Sequence, residues 1–307
     1  MKWKADLPGP GSSSPIVWGD RVFVTCYSGY GNGSEGGGDL LTLDRHLLCL
    51  KVADGAVIWQ KTLAAPLPED PYEGFISEHG YASHTPVTDG ERVYAYFGKG
   101  GLIAFDFEGN EVWRKDLGSS PSSRGWGTSS SPILHGDLVI VNANEESHAI
   151  YALDKATGVE KWKWQTDSLS SIYGTPVIST VEGRDDLIIG VSGEIWGMNP
   201  DTGKLRWFAG TGLTGNIAPS PVIAGDRIVQ FGGYPSTMGV GIKAGGKGDV
   251  TQSHRLWQNN DAKSYLTSPV FHEGHLYWVS DAGIACCANP DTGELLYETR
   301  LEGASGQ

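Results

Sequence analysis

Basic clusters, long apolar runs and cysteines are all scarce in this sequence, and each scarcity removes a class of protein. Lys and Arg number 23 against 36 Asp and Glu, a formal net charge of −13 over 307 residues. With no basic stripe, the chain is not built to hold a nucleic-acid backbone. No apolar run approaches the roughly 18 residues that a membrane-spanning helix needs. Four cysteines (Cys26, Cys49, Cys286, Cys287) with no CxxC pair exclude a disulfide scaffold and give no spacing for a thiolate metal site. The opening "MKWKADLPGPGSSSP" lacks the charged, apolar and small-residue regions of an export signal, which by itself predicts a cytoplasmic chain.

What is abundant is glycine, with 44 residues, and tryptophan, with 11. That mixture suits short strands joined by tight turns and disfavours a helical bundle, where glycine is costly. One element then recurs: "KVADGAVIW" (51–59), "DFEGNEVW" (106–113), "DKATGVEKW" (154–162), "NPDTGKLRW" (199–207) and "NPDTGELLY" (289–297). A degenerate copy ends in "QSHRLW" (252–257), and Trp3 in "KWKADL" reads as the tail of another. The terminal aromatics Trp3, Trp59, Trp113, Trp162, Trp207, Trp257 and Tyr297 fall 40 to 56 residues apart. A second signature keeps phase with the first: Ser/Thr-Pro-Val/Ile at 14–16, 85–87, 131–133, 175–177, 220–222 and 268–270. Two linked motifs in six copies make this a repeat protein.

Each repeat reads as four antiparallel strands. Proline, lacking an N–H, suits the start of the first. A Gly-Asp or Gly-Glu turn leads to an alternating second strand, and a variable loop to an apolar third. The Asp/Asn-x-x-Thr-Gly turn reverses the chain, with glycine at the positive-φ position, and the fourth strand carries the aromatic. Four-stranded units of this length are propeller blades. The predicted fold is an all-β propeller in a single domain (1–307), with blades at about 12–63, 81–117, 126–166, 173–210, 217–260 and 265–301. The six blade tryptophans Trp3, Trp59, Trp113, Trp162, Trp207 and Trp257 are expected to pack between blades. "KWKADL" is expected to be an orphan fourth strand, which points to a fragment of a seven- or eight-bladed propeller.

"ALDKATGVEKW" (152–162) fits the A-x-D-x-x-T-G-x-x-x-W repeat, and "GMNPDTGKLRW" (197–207) fits it with two substitutions. On these residues the chain resembles the PQQ-like (pyrroloquinoline quinone repeat) β-propeller superfamily, and in its short, plain blades the BamB-like branch of outer-membrane assembly factors. That resemblance implies a bacterial, periplasmic or cell-surface protein. The superfamily includes both dehydrogenases and non-catalytic scaffolds, so it does not by itself assign a function.

The longest insertions, 27–46, 64–80 and 232–254, are expected on one face, where loops on a rigid scaffold carry function. The second brings four carboxylates, Glu69, Asp70, Glu73 and Glu78, beside Tyr72 and Phe75. Glu78, His79, Tyr81, His84, Arg124, Trp126, Tyr173, Asn216 and Tyr265 are expected to converge on a channel mouth as a binding site. Other motifs are set aside. Adjacent Cys286 and Cys287 fall on a third strand, where Ile103-Ala104 and Tyr151-Ala152 stand in other repeats, which suits packing and not a strained vicinal disulfide. "GNGSEG" (31–36) and "GIKAGGKG" (241–248) have phosphate-loop spacings without a following helix, and Gly248 stands where Ser or Thr would bind magnesium. His272-Glu273-Gly274-His275 occupies the first hairpin turn of its repeat. No Gly-x-Ser-x-Gly occurs.

Two readings follow. The first is a non-catalytic scaffold that presents its loop-rich face to a protein or peptide partner, with no catalytic residue, cofactor or metal. The alternative is an oxidoreductase using PQQ with Ca²⁺ to oxidise an alcohol or sugar. That needs a stacked Trp, a carboxylate base and groups for the cofactor, for which Trp126, Glu78, Arg124 and Asn216 are the available residue types.

Overall fold

A computed structural model of the chain describes residues 2–31, 38–122 and 124–303. Residues 32–36 of the "GNGSEG" segment lie outside the described residues. Two compact units divide the chain, Met1–Gln165 and Thr166–Gln307.

The first unit holds three antiparallel sheets in series. The first sheet comprises β1 (Ile16–Trp18), β2 (Arg21–Ser28), β3 (Asp44–Lys51) and β4 (Val57–Ala64). The second comprises β5 (Val87–Thr88), β6 (Arg92–Tyr96), β7 (Leu102–Asp106) and β8 (Glu111–Lys115). The third comprises β9 (Ile133–His135), β10 (Leu138–Ala143), β11 (Ala149–Asp154) and β12 (Glu160–Gln165). In the second unit the fourth sheet is β13 (Val177–Val181), β14 (Arg184–Val191), β15 (Glu194–Met198) and β16 (Leu205–Gly210). Next come β17 (Val222–Ala224), β18 (Arg227–Gly232), β19 (Met238–Lys243), the two-residue β20 (Gly248–Asp249) and β21 (Arg255–Asn259). The fifth sheet is β17-β18-β19-β21, because β20 leaves it to pair parallel with β16 as a fifth strand of the fourth sheet. The sixth sheet comprises β22 (Val270–His272), β23 (His275–Val279), β24 (Ile284–Ala288) and β25 (Leu295–Arg300). Segment 232–254, read from sequence as one insertion, thus contains the third strand of its sheet.

Each Ser/Thr-Pro motif stands where strand logic requires. Pro15, Pro86, Pro132, Pro176, Pro221 and Pro269 immediately precede β1, β5, β9, β13, β17 and β22. The preceding hydroxyl residues link neighbouring sheets through backbone-to-side-chain bonds. Ser14 N–H donates to Thr85 Oγ1 (3.0 Å) and Thr85 N–H to Ser131 Oγ (3.0 Å). In the second unit Thr175 N–H donates to Ser220 Oγ (2.9 Å) and Ser220 N–H to Ser268 Oγ (2.8 Å).

The aromatics form a second joint. Trp3 donates its indole N–H to Val52 O, Trp59 to Phe107 O, Trp113 to Lys155 O and Trp257 to Pro290 O, at 2.8 to 3.0 Å. Each acceptor lies at the hairpin turn of a neighbouring repeat. The opposing residue on the third strand is always small: Cys49, Ala104, Ala152, Gly197, Gly241 or Cys287. A β-bulge follows immediately in all six sheets, twisting the fourth strand and aiming its ring. A Cβ on Gly197 would lie 2.0 Å from the Trp207 ring, so no larger residue fits without displacing it. Cys287 is therefore the sixth small residue beneath an aromatic, Tyr297, and both members of the pair are free and buried.

One expectation is corrected here, and one wedge, Trp207, packs against the next sheet like the others but bonds differently. The described residues before Ile16 form no strand, although Trp3 still takes a wedge seat. Pro8 and Pro10 withhold two N–H donors, and Gly9 and Gly11 lie flat on the backbone of β2, so the segment covers the first sheet with one backbone bond, Tyr27 N–H to Pro10 O (2.9 Å), and forms no strand. Trp207 does not reach the following turn. The fifth sheet lacks the Asx-x-x-Thr-Gly hairpin that would accept it, and its indole donates instead to the buried Asp186 carboxylate of its own sheet (2.8 Å). Arg184 and Arg206 complete that carboxylate at 2.9 and 2.6 Å.

Candidate functional site

Loop 65–86 of the first unit is longer than any turn requires, and it is held down by charge. Glu69 forms a salt bridge with Arg45, from the start of β3. Lys99, from the turn between β6 and β7, reaches Asp70 Oδ1 at 3.0 Å and Glu69 Oε1 at 3.9 Å. All four side chains are nearly buried, at 5% to 13% exposure, so the pairs are weakly screened by solvent. Asp70 also accepts Ser122 N–H through its carboxylate and the Tyr81 hydroxyl through its backbone oxygen. Glu69 and Asp70, two of the four carboxylates of that insertion, are clamps. Glu73 and Glu78 are the exposed pair.

Beneath the clamp, Arg45, Lys99, His84, Glu145 and Glu146 line a cavity of about 30 Å³. Glu145 and Glu146 sit on a one-turn helix, α2 (Asn144–Ser147), and are buried. Burial drives the Glu146 carboxyl up to about 7, with Glu145 and Glu69 adding repulsion against the lowering influence of Tyr96. Burial also drives His84 down to about 3, helped by Arg45 and His79, so its imidazole is neutral. Among the described residues, Arg45 Nη1, His84 Nδ1 and Glu146 Oε2 have no hydrogen-bond partner.

Above the clamp the loop has a small core of its own. Ile76, on the one-turn helix α1 (Ile76–His79), packs with Tyr27, Leu43, Tyr81 and Ala82. Burying that isoleucine contributes about 2 kcal/mol. Gly80 ends the turn at φ 69°, with the Tyr27 ring where a side chain would stand. His79 is fixed from both sides, Nδ1 on Ser83 Oγ (2.6 Å) and Nε2 on Trp126 O (2.7 Å). Phe75 meets Trp126 edge to face at 4.8 Å, and the Arg124 guanidinium lies 5.4 Å from the Trp126 ring. A surface pocket of about 290 Å³ alongside is lined by Pro10, Tyr27, Tyr72, Glu78 and His79, among others.

The nine residues expected at one mouth differ in exposure. Glu78 and Arg124 are exposed, and His79, Trp126 and Tyr265 are half-buried. Tyr81, His84, Tyr173 and Asn216 are buried, where a partner's side chain does not reach. In the first unit Glu78, His79, Arg124 and Trp126 share one surface with Phe75. In the second, Asn216 Nδ2 donates to the Tyr265 hydroxyl (2.9 Å), and Tyr265 lies beside the exposed Tyr234. Sequence reasoning missed Arg45, Lys99, Glu145 and Glu146. Lys99, Glu145 and Glu146 belong to connections between a second and a third strand, and Arg45 stands at the start of a third strand, so superposing the repeats on that junction would have found them.

The family model described as outer membrane protein assembly factor BamB matches residues 43–299. No curated protein matches the chain in sequence. Among solved structures, BamB from Moraxella catarrhalis is similar at 18% identity, with a TM-score of 0.64, over 95% of this chain and 74% of that one. Quinohemoprotein alcohol dehydrogenase from Comamonas testosteroni is similar at 12% identity and a TM-score of 0.61, over 96% of this chain and 60% of that one. A europium-containing methanol dehydrogenase is similar at 13% identity and a TM-score of 0.62, over 95% of this chain and 69% of that one. At such identities the likeness is one of fold, and the fold class is the all-β propeller of four-stranded antiparallel sheets. Among the described residues no helix is long and apolar enough to cross a membrane.

Proposed function

Because the chain belongs to the outer membrane protein assembly factor BamB family, we propose that it is a non-catalytic scaffold that grips a protein or peptide partner through the 65–86 loop. The observation that carries this is the Phe75–Trp126–Arg124 stack beside Glu78. Phe75 is 38% exposed, yet it stands on a loop fixed by buried ion pairs and its own small core. Rigid aromatics and arginine are the residue types that dominate binding energy, since they bury much area for little loss of side-chain freedom. The family's name favours the periplasm or cell surface of a bacterium as the working compartment.

The experiment is site-specific photocrosslinking in cells. A photoreactive phenylalanine analogue at position 75 is expected to yield a discrete adduct, and Trp126→Ala to weaken it by at least tenfold, about 1.4 kcal/mol. The same analogue at the exposed Val159 serves as control. Equal labelling at 75 and 159 would remove the proposal.

The second reading is a PQQ- and Ca²⁺-dependent oxidoreductase, kept because the folds of a quinohemoprotein alcohol dehydrogenase and a methanol dehydrogenase resemble this one. The residues of the first unit do not fit that chemistry. Arg45 and Lys99, the buried cations that would take cofactor carboxylates, are engaged by Glu69 and Asp70. The cavity between them, about 30 Å³, is far below the roughly 300 Å³ of the smallest ligand pockets. Among the described residues, no cluster of three or more His, Cys, Asp or Glu is placed to hold a metal.

A further inference from the structure

The glycine-lysine segment set aside as a failed phosphate loop lines a second, unrelated pocket. Its walls are the turn between β13 and β14, with Val181, Glu182 and Arg184, and the chain leaving β19, with Lys243, Ala244, Gly245 and Gly246. His254, at the end of the one-turn helix α3 (Thr251–His254), closes the bottom. The open volume is about 520 Å³. In a chain of net charge −13, three of the eight lining residues are cationic or can become so, against one carboxylate, Glu182.

The local geometry holds these groups in place. Arg184 Nη2 bonds Asp186 Oδ2 (2.9 Å) and Gly246 O (3.2 Å), which ties the two walls together. Ser253 Oγ fixes His254 Nδ1 at 2.8 Å, leaving Nε2 turned toward Gly246. Gly245 and Gly246 have φ of 90° and 105°, and their N–H groups find no acceptor within the described chain. A Cβ at Gly246 would stand 2.7 Å from Val250 and 3.1 Å from His254, so only glycine brings the backbone this close to the imidazole.

From this arrangement we infer that the pocket between the β13–β14 turn and residues 243–246 is a binding site for a small oxyanion. Lys243 supplies the charge, His254 Nε2 and the Gly245 and Gly246 N–H groups supply hydrogen bonds, and the Arg184 bridge holds the two walls in place. Burial, with repulsion from Lys243, already holds the His254 imidazole below its ordinary pKa. An anion between the two relieves that repulsion and protonates the ring more readily. The facing groups that share this field are Glu182 and Arg184 on the hairpin and Lys243 on β19. Neither magnesium nor a nucleotide is required, consistent with Gly248 at the position a metal-binding hydroxyl would take. This inference is independent of the partner-binding loop, which lies in the other unit.

The test is an NMR titration of the intact chain with inorganic phosphate, following the His254 ring protons and the Gly245 and Gly246 amides. Saturable shifts with a Kd of about 1 mM or tighter are expected, with the His254 pKa rising in phosphate. Lys243→Ala, at an exposed position, should weaken binding at least tenfold, and Lys161→Ala should leave it unchanged. Acetate and a short acidic peptide form the second arm. Saturation by phosphate alone identifies a free dianion, and equal saturation by carboxylates identifies an acidic segment of a partner. Shifts that grow linearly with salt, or a Lys243→Ala variant that binds as well as the parent, would overturn the site.

Discussion

Glu146 is the residue whose environment has the most direct thermodynamic consequence. Its folded carboxyl titrates at about 7 against 4.5 in the unfolded chain, so the folded state keeps a proton that the unfolded state releases. Stability from this group is complete below pH 4.5 and falls as pH rises through 7, by about 3 kcal/mol in all. His84 works in the opposite sense. Its folded value of about 3 lies below the unfolded 6.5, so its contribution is present above 6.5 and lost in acid. Comparison with Glu146→Gln separates the two. The variant is expected to match the parent in urea at pH 4 and to exceed it at pH 8 by up to about 3 kcal/mol. Equal stability of the two proteins across that range would mean that Glu146 ionises freely. None of this was legible at the residue itself, since "NANEES" reads as a solvated turn. Only the burial that folding imposes, with Glu69 brought near, makes it a buried acid.

The strand order within a sheet was legible because each turn carries its own chemistry. Proline marks six strand starts, and the Asx side chain caps the hairpin as expected, Asp154 Oδ1 accepting from Ala156 and Thr157 N–H at 3.1 and 3.0 Å. What joins one sheet to the next was half legible. The periodic aromatic revealed the wedge, whereas the hydroxyls of Thr85, Ser131, Ser220 and Ser268 gave no sign that each receives a bond from the neighbouring sheet. The excursion of β20 was hidden as well, because a two-residue strand has no pattern to read. The wedges themselves are not equivalent, and this can be measured. Trp113→Phe removes one indole bond to a backbone oxygen and is expected to cost about 1 kcal/mol in urea unfolding. Trp207→Phe withdraws a donor from a buried carboxylate and is expected to cost about 2 kcal/mol or more. A larger loss at Trp113 would contradict the special role given to Asp186.

Across the whole chain, the two readings of function predict different responses to ligand. A thermal melt with PQQ and Ca²⁺ is expected to leave the midpoint where it is, because a ligand raises it only by binding the folded state. A rise that needs both additives would return the oxidoreductase reading to the front and direct mutagenesis to Arg124, Trp126 and Glu78. The same chain also contains an uneven distribution of obligation. Where an indole must be received by the next hairpin, that hairpin is kept short, with four to six residues between its strands. Trp207 finds its acceptor at home, in Asp186, and the segment after β19 is thereby released from this duty. It has used the latitude to lengthen, to cross to another sheet as β20 and to gather a lysine and two glycines around His254. In a molecule made by repetition, novelty is tolerated first at the joint that no longer has to fit its neighbour.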